Sequence, residues 1–148
     1  MSRIEDIMRL APVIPVLVIE DAAHAAPIAA ALVKGGLPVL EVTLRTAAAL
    51  DVIREMKRVP GAIVGAGTVL NEHALDDALE AGSEFIVSPG LTDVLTKAAL
   101  AADAPFLPGV ATASDVMRGL DLELVHISPP APQQPVPPPQ SPPDRARP

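Results

Sequence analysis

Hydrophobic residues along this chain fall in short blocks, and polar stretches separate the blocks at a regular distance. The runs 13–19 (VIPVLVI), 39–44 (VLEVTL), 62–65 (AIVG), 85–88 (FIVS), 106–109 (FLPG) and 122–127 (LELVHI) read as strands. The intervening stretches suit helices, opened by the candidate N-caps Asp21, Thr46, Asn71, Thr92 and Ser114, with Gly35, Gly82 and Gly119 as stops. Strand, helix and strand at a spacing of roughly twenty residues is the pattern of βα units on a parallel sheet. Near-continuous apolar strands fit burial on both faces.

One strand breaks that uniformity. In 39–46 (VLEVTLRT), Leu40, Val42 and Leu44 share one face, while Glu41, Thr43 and Arg45 share the other. Two parallel architectures place such a strand differently. A doubly wound dinucleotide-binding sheet requires G-x-G-x-x-G after its first strand, but here GAGTVL follows the third and carries Leu70 at the last glycine. A (β/α)8 barrel instead gathers polar groups at the C-terminal ends of many strands. Arg45, Thr68, Ser88-Pro89-Gly90 and Pro108-Gly109 recur at those ends. The pattern therefore predicts an α/β fold of the (β/α)8 barrel type, incomplete, with about five βα units plus a sixth strand, and with Glu41, Thr43 and Arg45 facing its interior and mouth.

Composition narrows the function. Only Phe85 and Phe106 are aromatic, the net charge is −7 and the pI is near 4.8, a poor match to a nucleic acid. The absence of cysteine and of a signal-like or membrane-spanning N-terminal run predicts a soluble, cytoplasmic protein. His24, His73 and His126 lack metal-ligand spacing, so no metal and no cofactor is expected. After residue 127 the character changes: residues 128–148 hold ten of the 18 prolines and no glycine or aromatic. Proline lacks the ladder donor and fixes φ, so this segment reads as an extended, disordered tail beyond a barrel domain at 1–127.

The segments 12–46 (PVIPVLVIEDAAHAAPIAAALVKGGLPVLEVTLRT), 63–71 (IVGAGTVLN), 81–92 (AGSEFIVSPGLT) and 105–122 (PFLPGVATASDVMRGLDL) resemble the N-terminal two-thirds of the 2-keto-3-deoxy-6-phosphogluconate (KDPG) and 4-hydroxy-2-oxoglutarate aldolase family. That resemblance implies a class I, Schiff-base aldolase on a trimeric (β/α)8 barrel, a lyase cleaving a phosphorylated 2-keto acid to pyruvate and glyceraldehyde 3-phosphate. It implies Glu41 as general acid/base and Arg45 and Thr68 as substrate-binding residues. The residue types suit those roles. A sheltered carboxylate can take and return protons, and a guanidinium offers a planar fork to a carboxylate. Gly65 and Gly67 suit either a tight turn or a close approach to a ligand, and the resemblance favours the ligand.

The departure from the family pattern lies at strand 6. The family's Schiff-base lysine belongs to a motif of the form F-K-F-F-P-A-E, whereas this chain reads HISPPAP and places Ser128 at the lysine's position. Its lysines, Lys34, Lys57 and Lys97, fall on stretches read as helices, and no match to strands 7 and 8 follows. The expectation is a chain of aldolase lineage, with a small-molecule 2-keto acid as substrate, that is inactive as it stands. The resemblance also implies a homo-oligomer, and two other readings stay open: a non-catalytic subunit that joins a trimer with full-length protomers, and an interaction protein whose P-x-x-P tail docks on an aromatic groove.

Overall fold

The computed structural model describes residues 3–122 and residue 124. Five strands, β1 (Val16–Leu17), β2 (Val39–Thr43), β3 (Ile63–Gly67), β4 (Ile86–Ser88) and β5 (Phe106–Pro108), pair in parallel in the order β1-β2-β3-β4-β5. Helices α2 (Ala25–Lys34), α3 (Ala49–Met56), α4 (Glu72–Glu80), α5 (Asp93–Ala101) and α6 (Ala113–Asp121) follow them in turn. A doubly wound sheet reverses its strand order partway, whereas a barrel winds in one direction only. The consecutive order is therefore the barrel path, followed for five units and left open among the described residues. The sixth strand-like run, 122–127, and the tail, 128–148, lie outside the described residues apart from Leu122 and Leu124.

Strand register defines two faces. On the outer face Leu40, Val42, Val64, Ala66, Ile86 and Phe106 pack against Ala29, Val52, Ile53, Met56, Leu75 and Leu95 of the helices. On the inner face Val39 and Phe85 meet Ile4 and Ile7 of α1 (Arg3–Arg9), with Ile14, Ile63, Val87 and Leu107 half-buried around them. Helix α1 has no counterpart among the expected elements. Its isoleucines, three residues apart, give it one apolar side, and it stops the end of the sheet opposite Arg45 and Thr68. Toward β1 the inner face is open: Val16 is 59% exposed and Val18 53%.

Several local expectations are corrected. The run 13–19 yields only two strand residues, because Pro15 has no N–H to give and contributes its carbonyl to the Glu41 N–H at 3.0 Å. Thr46 does not cap α3. Its hydroxyl donates to the Ile19 carbonyl at 2.8 Å, and α3 starts after Ala48 without a side-chain cap. Thr112, not Ser114, caps α6, since Thr112 and Asp115 form a reciprocal capping box. Gly119 lies inside α6, which runs on to Asp121, while Asn71 and Thr92 cap α4 and α5 as expected. Gly82 ends α4 in a Schellman turn at φ +99°, with Ser83 N–H donating to the Ala78 carbonyl at 3.0 Å.

Among the described residues β1 pairs on one side only, beside exposed inner-face valines, and such an edge invites pairing between chains. Sedimentation velocity over a concentration series is expected to show self-association. A single sharp monomer with a cooperative melt would mean that the open sheet is a self-sufficient fold.

Candidate active site

Glu41 sits in the middle of β2, in register with Val16 on one side and Gly65 on the other. Its neighbours along the strand, Leu40 and Val42, are fully buried on the outer face, which fixes the glutamate on the inner one. The carboxyl group is half-buried and makes no hydrogen bond or ion pair with another described residue. Burial raises its pKa above the ordinary 4.5, because the charged form loses water, and the nearby Arg45 guanidinium partly opposes that rise. A carboxyl group so placed holds its proton more readily than a surface one and can still give it up.

The glycines of GAGT are not turn residues. Both belong to β3, and what matters is the Cβ each lacks. At Gly65 a Cβ would lie 2.5 Å from the ring of Phe85, which fills that slot from β4's leading edge. At Gly67 it would collide with Oε1 of Glu41, with Cδ at 2.7 Å and Cγ at 2.8 Å. Glu41 thus leans two residues along β3, from Gly65 toward Gly67 and the C-terminal ends of the strands. Thr43 leaves this space clear. Its hydroxyl turns away to donate to the Leu17 carbonyl at 3.1 Å.

The turn expected at the glycines falls instead on Thr68, which has φ +61°. For a β-branched residue this left-handed conformation is unfavourable by about 1–3 kcal/mol. It is held from both sides: the Gly67 carbonyl accepts from Leu44 N–H at 2.8 Å, and Val69 N–H donates to the Val87 carbonyl at 3.1 Å. Thr68 is half-buried at the rim, next to the glycine under Glu41, and Arg45 is exposed two residues beyond β2. Glu41, Arg45 and Thr68 therefore gather at the C-terminal ends of two adjacent strands. Ser88 closes the next strand end, donating to the Gly90 carbonyl at 2.9 Å, and Gly109 N–H donates to the Ser88 carbonyl at 2.8 Å.

No lysine joins this group among the described residues. Lys34 ends α2 and Lys57 caps the C-terminus of α3, at the end of the sheet away from Arg45 and Thr68, where Lys57 pairs with Glu84 at 3.3 Å. Lys97 is exposed on α5. Ser128, the position assigned to the family's lysine, lies outside the described residues. The described residues contain no group of three His, Asp or Glu side chains that could hold a metal ion, and no helix long and apolar enough to cross a membrane. A separate cleft of about 450 Å³ runs beside α6, lined by Asp93, Ser114, Met117, Arg118, Asp121 and Leu122. The Arg118 guanidinium donates to Asp93 there at 2.8 Å and holds its carboxyl below the ordinary 3.8.

Comparison with known proteins identifies the family. The family described as KDPG and KHG aldolase matches residues 4–129. The 2-dehydro-3-deoxy-phosphogluconate aldolase of Zymomonas mobilis is 68% identical over 124 residues, 84% of this chain and 60% of that protein. A crystal structure of the Zymomonas mobilis 2-keto-3-deoxy-6-phosphogluconate aldolase with 3-phosphoglycerate superposes with a TM-score of 0.81 at 67% identity, covering 84% of this chain and 60% of the other. The KDPG aldolase of Legionella pneumophila, with pyruvate captured as a covalent carbinolamine intermediate, superposes at 0.77 with 40% identity, covering 80% and 58%. The chain thus spans about three-fifths of the length of the relatives it matches.

Two measurements test the site. Because the folded-state pKa of Glu41 is raised, the native protein binds that proton more tightly than the unfolded chain does. Its stability contribution is present below 4.5 and is lost as pH rises through the raised value. Glu41→Gln is therefore expected to melt higher than the parent at neutral pH, by a margin that widens as pH rises from 4.5. Equal margins at all pH values would contradict the burial of the charge. Asp93 and Asp115, held below 3.8, act with the opposite sign and only in more acid solution. Borohydride reduction with pyruvate, followed by intact mass, is expected to give no pyruvyl adduct, and a stoichiometric adduct on any lysine would overturn that placement.

Proposed function

The chain belongs to the KDPG and KHG aldolase family, and from that premise we propose that its β2–β3 rim carries the proton-transfer and carboxylate-binding half of an aldolase site. The substrate class is a 2-keto-4-hydroxy acid, with 2-keto-3-deoxy-6-phosphogluconate first and 4-hydroxy-2-oxoglutarate second. Glu41 takes the proton of the C4 hydroxyl as the C3–C4 bond breaks. The bond's electron pair moves toward C2, and the aldehyde leaves. Glu41, now protonated, returns the proton to C3 and so releases a pyruvyl group. Positioned proton transfer of this kind contributes roughly 10² to 10⁴ in rate. Arg45 holds the substrate carboxylate by charge and planar geometry, and Thr68 offers a hydroxyl beside it.

The observation that carries this reading is the half-buried Glu41 carboxyl, with its proton affinity raised by burial and moderated by Arg45. The electron sink is the part that the described residues do not supply. A lysine amine condensed with the C2 carbonyl provides such a sink, and the exposed positions of Lys34, Lys57 and Lys97 on helices argue against any of them serving. The chain as it stands therefore holds acid/base and clamp without turnover. Trimer formation, which the family resemblance implies, belongs to the same proposal.

Replacement of residues 128–148 by the segment that follows the matched region in the Zymomonas mobilis relative is expected to confer aldolase activity on 2-keto-3-deoxy-6-phosphogluconate. In that repaired chain Glu41→Gln should lower kcat by about 10² or more, since the amide is nearly isosteric but cannot accept the proton. Arg45→Ala should raise KM, because the substrate carboxylate loses its charged partner. A Glu41→Gln variant with kcat within a few-fold of the repaired parent would remove Glu41 from the chemistry.

A further inference from the structure

We propose that Gly67 is the positioning residue for Glu41: the bare backbone of β3 forms the cradle that fixes the carboxylate at the mouth of the site. The proposal deepens the reading of Glu41 as the acid/base and rests on it. A working carboxylate must be held in one place, and hydrogen bonds usually do this. Glu41 has none with another described residue. What constrains it is contact. The three atoms nearest to a Cβ built on Gly67 are Oε1, Cδ and Cγ of Glu41, so the outer half of the side chain lies along the glycine.

The direction of that contact matters. Strand register sets Glu41 opposite Gly65 and Thr43 opposite Gly67, so the glutamate reaches diagonally across the ladder toward the strand C-termini. Phe85 fills the slot directly across, over Gly65, and Thr43 ties its hydroxyl to Leu17. These neighbours leave the surface of Gly67 as the resting place, next to Thr68. The two glycines thus have separate tasks. Gly65 admits a buried ring, and its replacement disturbs packing. Gly67 admits the tip of a flexible side chain, and its replacement moves a functional group at little cost to the fold.

Glycine-to-alanine variants of the full chain separate these tasks, read by the carbon-13 carboxyl resonance of Glu41 during a pH titration. Gly67→Ala is expected to push the carboxylate out toward water and Arg45, so its midpoint falls toward 4.5, while the melting temperature drops by less than about 4 °C. Gly65→Ala is expected to lower the melting temperature further and to leave the Glu41 midpoint where it was. An unmoved midpoint in Gly67→Ala would overturn the proposal, whatever the repaired chain shows about catalysis. If Gly67→Ala is insoluble, Glu41→Ala/Gly67→Ala decides. It should melt with Glu41→Ala alone, because the clash has been removed, and a much lower melt would mean that Gly67 makes room for something other than Glu41.

Discussion

The pairing of β2 with β3 is the constraint on which the rest of the described structure hangs. It is the longest register in the sheet, running from Val39 opposite Ile63 to Thr43 opposite Gly67. Leu40, Val42, Val64 and Ala66 bury its outer face completely, and Val39 anchors the inner one. Other elements attach to it through few bonds each. β1 is held by the Glu41 N–H to Pro15, by the Thr43 hydroxyl to Leu17 and, just beyond, by the Thr46 hydroxyl to Ile19. β4 is held by Glu84 N–H to the Val64 carbonyl at 2.7 Å and by Ala66 N–H to the Phe85 carbonyl at 3.0 Å. A slip of one residue between β2 and β3 would turn Glu41 into the helix layer and Leu40 into the site.

That ladder also absorbs the unfavourable features that function asks for. Burying a carboxyl group opposes folding whenever the group is charged, and a left-handed threonine opposes it at every pH. Both sit where the backbone is bonded on either side: Glu41 between Val16 and Gly65, Thr68 between the bonds of Gly67 and Val69. The two terms are local costs carried by a well-packed neighbourhood. Such a placement lets Glu41 keep an altered proton affinity without an ionic partner held against it, which a surface loop could not enforce.

The strands were legible because their apolar runs record burial on two faces, and the alternation of Glu41, Thr43 and Arg45 recorded the one face that is polar. Their C-terminal ends named Thr68 for the same reason. Less could be read where the cause is a residue far away in sequence. Thr46 has the chemistry of a helix cap, but the Ile19 carbonyl lies within its reach and takes its proton. Ser114 has the chemistry of a cap as well, but Asp115 closes its box with Thr112, two residues earlier. Gly65 and Gly67 announce only that a Cβ is missing. That Phe85 fills one gap and Glu41 the other depends on strands some twenty residues away on either side, and a one-dimensional pattern does not carry that information. Helix α1, seven residues long, is too short to display a period.

Native-state hydrogen exchange tests most directly whether the β2–β3 ladder is the fixed part of the molecule. The amides of Leu44, bonded to Gly67, and Ile63, bonded to Pro38, should exchange only through global unfolding. The amide of Ala23, bonded to the Asp21 side chain in the exposed turn after β1, should exchange through local opening and far faster. If Leu44 and Ile63 instead exchange through the same low-energy openings as Ala23, the ladder is not what holds Glu41 and Thr68 in place.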